Sequence, residues 1–175
     1  MSDPIKYLFR FLLFTGVQAL VLDHVDPLHR FLSPIVYFQF LLWMPFSISR
    51  QWLLVLGFLL GFALDLFSHS PGLHASACLW VAYLRAPLVA LLVPSDTREL
   101  KTGAPGIYSM GLPSYALFMF ILTFFHHTWL VLLEWLNAGD FVYFIGKVFF
   151  SSLLSMLLML IAELLFRPLR KRRIG

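Results

Sequence analysis

A single cysteine in 175 residues excludes an intramolecular disulfide, and Cys78 lies in an apolar run where a thiol behaves as a small, inert hydrophobe. Charge is scarce too. Only 13% of residues are Asp, Glu, Lys or Arg, too few to hydrate the surface of a soluble domain this size. Catalytic signatures are missing: there is no GxSxG, P-loop or HExxH, and no second aspartate spaced for an intramembrane aspartyl pair. His126-His127 does not fill the gap, because adjacent helical residues point about 100° apart and cannot share a ligand face. We expect neither metal nor cofactor. The two halves of the chain show no repeat, so the inverted-repeat logic of many transporters finds no support.

What the chain has is apolar length. It is 60% hydrophobic and 17% aromatic, with nineteen Phe and a mean hydropathy of +0.84. That composition predicts an all-α integral membrane protein. Thirteen Lys and Arg outnumber nine Asp and Glu. The excess clusters at Arg167, Arg170, Lys171, Arg172 and Arg173, directly after an apolar run, which points to anionic lipid and topology and not to nucleic acid. Lys6 and Arg10 before an apolar run mimic a signal peptide, with Val17-Gln18-Ala19 a weak cleavage site. With so many spans downstream, a retained first helix is the better reading.

Crossing about 30 Å of hydrocarbon takes roughly 20 helical residues. Six candidate spans follow, at about 5–22, 33–47, 52–68, 73–93, 114–136 and 141–166, forming one membrane domain over 1–166 with a basic tail at 167–175. The stretch 33–47 is the exception in quality: Pro34 and Pro45 bracket it and Gln39 lies inside, so a re-entrant or interfacial segment is the alternative. Lys6, Arg10, Arg50, Arg98, Lys101 and the tail fall on one side of a six-span layout, against Arg30 and Lys147 beside Asp23, Asp26 and Asp140 on the other. The positive-inside rule then puts both termini in the cytoplasm. In the one sizeable loop, 94–113, Asp96-Thr-Arg-Glu99 has the form of a capping box.

The densest signal is Gly57-Phe-Leu-Leu-Gly61-Phe-Ala-Leu-Asp65. Gly57, Gly61 and Asp65 fall at i, i+4 and i+8 on one helix face. GxxxG lets another helix approach closely in lipid, and a carboxylate on the same stripe needs a partner. The stripe reads as a packing surface, either within the bundle or toward a partner. Asp65, Glu134 and Lys147 fall near one depth, with His69, His74 and Gln18 close by. A Glu134–Lys147 ion pair is the plain reading of that layer; a polar pocket opening outward is the sharper one. Arg85, two residues before Pro87, either bonds carbonyls freed by the proline, snorkels to the interface, or couples to a partner. Glu163 is expected to pair with the basic tail, and Ser151, Ser152 and Ser155 to favour close helix packing.

Gly61, Asp65, Phe67, Ser68 and Gly72-Leu73-His74-Ala75, preceded by Pro45 and Arg50-Gln-Trp52 and followed by Tyr83-Leu84-Arg85, resemble the rod shape-determining MreD family. The motif covers about 30 residues, while the hydropathy layout and basic C-terminus agree along nearly the whole chain. The resemblance implies a non-enzymatic component of the bacterial cell-elongation (rod) complex in the inner membrane. It would bind MreC directly and, through it, work with RodA, a class B penicillin-binding protein and MreB. It also implies a helical arrangement similar to the substrate-binding subunits of energy-coupling-factor transporters. A solute-binding transporter subunit, with a pocket at Asp65, His69, His74 and Glu134, is therefore the competing function. A lipid-acting enzyme built on Asp65 or His126 ranks last.

Overall fold

A computed structural model describes residues 3–24, 30–98, 103–136 and 140–166. The elements in chain order are α1 (Asp3–Leu20), a 3-10 turn (Leu22–His24), α2 (Gln39–Leu42), α3 (Arg50–Ser68), α4 (Leu73–Leu92), α5 (Ser95–Arg98), α6 (Ile107–Met110), α7 (Leu112–Trp135) and α8 (Phe141–Phe166). No strand occurs among the described residues. Five helices are long and apolar enough to cross a membrane: the stretch from Pro4 to His24, α3, α4, α7 and α8. Exposed Leu12, Phe58, Phe62, Phe149, Leu153 and Leu157 clothe the bundle in the apolar surface that lipid requires. The chain is a multi-pass helical membrane protein.

The sixth expected helix is absent. Within 33–47 only the single turn of α2 is α-helical, although Val36 to Met44 are all buried. The reason is local. Pro34 and Pro45 remove amide donors and push the residues before them toward extended backbone. Fifteen residues wound as a helix would reach only about 22 Å, and unwinding lengthens them.

The segment still crosses the bundle. It runs alongside α8 in the same direction: the Ser33 amide donates to Ser151 Oγ (3.0 Å) and the Ile35 amide to Ser155 Oγ (2.8 Å). Farther along, Gln39 Nε2 donates to the Met159 carbonyl (2.8 Å), and the Trp43 ring lies 6.3 Å from that of Phe166. Other contacts fix the remaining directions. Arg10 and Phe14 of α1 meet Trp43, while Gln18 reaches Pro34 and Val36. Tyr115, early in α7, donates to Glu163, late in α8; Glu134, late in α7, pairs with Lys147, early in α8. The bundle thus has a Trp43 end and a His74 end, and its described termini, in α1 and α8, share the Trp43 end. Lys6, Arg10 and Arg50 lie toward that end as well. Arg98 is placed in α5, whereas Asp26, Glu99, Lys101 and the tail 167–175 fall outside the described residues.

Candidate functional site

The Gly57/Gly61 stripe faces inward. A Cβ on Gly61 would overlap the His74 carbonyl and the Ala75 backbone, whose amide nitrogen would lie at 2.5 Å. One on Gly57 would sit 3.1 Å from the Cys78 carbonyl and 3.2 Å from Ala82 Cβ. The close approach that GxxxG permits is therefore used by the chain's own α4, and Cys78 is fully buried in that contact.

Asp65 completes the lock. Its Oδ2 accepts from the amides of Gly72 (3.0 Å) and Ala75 (3.1 Å), and its Oδ1 from the amide of His74 (2.8 Å) and from His74 Nδ1 (3.0 Å). The Leu73 amide goes to the Ser70 carbonyl. All four amides at the start of α4 that a helix cannot satisfy itself are thus bonded, with a carboxylate at the positive end of the helix dipole. Gly72 makes the tight entry at φ +86°, a backbone region that favours glycine. Asp65 is 4% exposed, so the stripe's carboxylate faces neither lipid nor a partner.

A second polar system serves the unwound crossing. In hydrocarbon every backbone N–H and C=O needs a partner, and non-helical chain survives there only when protein supplies one. Gln18 supplies three bonds: Oε1 accepts from the Val36 amide (2.9 Å), and Nε2 donates to the Pro34 carbonyl (3.1 Å) and to Asp23 (2.7 Å). Ser151 accepts from the Ser33 amide and donates to the Phe31 carbonyl (2.9 Å). Ser155 accepts from Ile35 and meets His127 Nε2 (3.0 Å), whose Nδ1 meets the Thr123 carbonyl (2.9 Å). Arg85 donates to the Met44 carbonyl and, at 3.5 Å, to that of Pro45. The Tyr37 hydroxyl meets His126 Nε2 (2.8 Å).

These bonds revise several expectations. Arg85 is 3% exposed, so it does not snorkel; it bonds carbonyls of the unwound segment and not of its own helix. Ser151 and Ser155 hold backbone groups of that segment instead of smoothing a helix contact. Glu163 is buried and accepts from the Tyr115 hydroxyl (3.0 Å), while its expected partners in the basic tail lie outside the described residues.

Between these two systems, at the His74 end, opens a cavity of about 540 Å³ whose wall includes Gln18, Asp23, His74, Glu134, Lys147 and Ser151. Of the expected pocket residues, His74, Glu134 and Lys147 line it. Asp65 sits behind His74 and orients it. His69 ends α3 in a left-handed conformation (φ 54°), exposed and outside the cavity wall. Glu134 and Lys147 form the expected ion pair. The adjacent histidines diverge as expected, His126 to Tyr37 and His127 to Ser155, and among the described residues no group of three or more His, Cys, Asp or Glu side chains is arranged to hold a metal. Asp23, in the cavity wall, carries no sequence motif of its own. Compared with protein-family models, with curated proteins and with solved structures, the chain matches none of them.

Proposed function

We propose that this protein is a non-catalytic component of the bacterial rod complex, similar to MreD, which binds MreC in the inner membrane and supports lateral peptidoglycan synthesis and cell shape. The observation that carries this reading is the use of the resembling stretch. Gly61, Asp65 and Gly72 to Ala75 form one rigid α3–α4 joint in which the carboxylate is fully engaged as a helix cap. Such a joint suits a scaffold that presents fixed surfaces, and it leaves Asp65 no room to act as acid, base or ligand. MreC then meets an outer face of the bundle, and RodA, the class B penicillin-binding protein and MreB join through it. The six crossings suit the arrangement of energy-coupling-factor binding subunits that the resemblance implies. Basic residues toward the Trp43 end favour a cytoplasmic location for both termini; alkaline-phosphatase fusions at 69–72 and after 166 test it, active at the first and silent at the second.

Depletion in the native bacterium is the deciding experiment. Rounded cells, loss of lateral-wall insertion and co-purification of MreC with the full chain are the expected results. Normal rods without MreC recovery would overturn the proposal. The cavity favours a second reading, a solute-binding membrane subunit, for which saturable thermal stabilisation by a solute is the signature.

A further inference from the structure

Most donors in the cavity wall are engaged within the protein, the His24 ring and the Ser33 hydroxyl being the exceptions. Both hydrogens of Gln18 Nε2 go to Asp23 Oδ1 and the Pro34 carbonyl. The Ser151 hydroxyl donates to the Phe31 carbonyl and that of Ser68 to the Leu64 carbonyl. Ser70 Oγ lies 2.6 Å from Ser68 Oγ and 3.4 Å from Asp65 Oδ1, both acceptors for its one proton. His74 Nδ1 is held by Asp65 at 3.0 Å. His127 uses Nδ1 on Thr123 and Nε2 on Ser155.

What remains is mainly acceptor capacity, the second oxygens of Asp23 and Glu134 and spare hydroxyl lone pairs. Two carboxylates face one ammonium, that of Lys147, which is held by Glu134 and lies 5.6 Å from the Tyr143 ring centre. An anion would meet two carboxylates and a single ammonium already paired with one of them. A donor-rich cation fits, because charge-assisted bonds to carboxylates are the strong ones, and about 540 Å³ lies within the range of small-molecule sites.

We propose that this cavity binds an organic cation, a small primary amine or guanidinium compound whose N–H groups meet the carboxylates of Asp23 and Glu134. The inference rests on the second reading above, that the cavity takes a solute. The same ammonium chemistry is carried by free amines and by the phosphatidylethanolamine headgroup.

The test uses the full chain in nanodiscs, titrated with spermidine and agmatine by calorimetry and thermal unfolding, with 1,4-butanediol and succinate as neutral and anionic controls. Saturable binding of the amines alone is expected. Glu134→Gln should weaken it at least fivefold and Asp23→Asn by a similar factor. Asp140→Asn, the same charge change near the same end on a residue that caps α8 outside the cavity wall, should leave affinity within twofold. Should Glu134→Gln fail to fold, slower carbodiimide modification of Glu134 in the presence of spermidine gives the same answer. Discs with and without phosphatidylethanolamine separate the sources: amine binding suppressed by that lipid assigns the site to the headgroup, and unchanged binding assigns it to a free amine, both within the proposal. Equal losses in Glu134→Gln and Asp140→Asn would reduce the effect to surface charge and overturn it. Binding of succinate or butanediol in place of amines would overturn the cation assignment while leaving the solute reading; no binding by any probe would overturn both.

Discussion

The α3–α4 joint and the unwound crossing at 33–47 answer one demand in opposite ways. Each leaves backbone polar groups that no helix satisfies, in a setting where water is scarce. At the joint a single side chain, Asp65, gathers three amides within one hairpin. At the crossing the partners come one or two at a time from α1, α4 and α8. The joint concentrates its stability in few residues; the crossing distributes it over many.

Substitutions should grade accordingly. Gly61→Leu is the harshest, because the new side chain meets backbone and not a yielding side chain. We expect no monodisperse protein from membranes, while the exposed neighbour Phe62→Leu purifies normally; recovery of folded Gly61→Leu would break the comparison. Asp65→Ala leaves three amides without their acceptor and should cost about 3 kcal/mol or more. Its readout is the modification rate of buried Cys78 by a thiol reagent, which rises as the joint opens.

Gln18→Leu orphans the Val36 amide and the Pro34 carbonyl and should cost about 2–4 kcal/mol, by the usual penalty for each unsatisfied buried group. Hydrogen exchange should quicken at Val36 before it does at Ala75. Ser155→Ala removes one acceptor and should cost about 1–2 kcal/mol, confined to Ile35 and the His127 contact. An equal fall for Ser155→Ala and Asp65→Ala would show that the two regions do not differ in how they concentrate stability.

The residues that could be read from sequence were those whose partners lie close in the chain. The four long helices from Arg50 onward follow from uninterrupted apolar length, and the Gly57, Gly61 and Asp65 stripe from helical spacing. The Glu134–Lys147 pair joins residues 13 apart in the chain and was equally plain. The crossing was not, because an apolar run between two prolines does not say whether it is wound, and its partners are remote. Ser151 and Ser155 look like small packing residues until something needs their hydroxyls. Arg85 likewise gave no sign that its carbonyls would come from a segment about 40 residues earlier. Asp23 entered the cavity wall through a turn whose position no local pattern fixes.

The remoteness of the crossing's partners also sets an order on synthesis. Phe31 to Ile35 enter the membrane region as the chain emerges, yet Ser151 and Ser155 are made some 120 residues later. Until α8 arrives, part of that backbone lacks its partners, so the nascent protein must hold the segment at the aqueous boundary or against a chaperoning helix. Closure of the bundle is then a late, long-range event of the kind that slows folding. A ribosome-stalled chain ending before α8 would keep Ile35 open to water, and one extending through it would not.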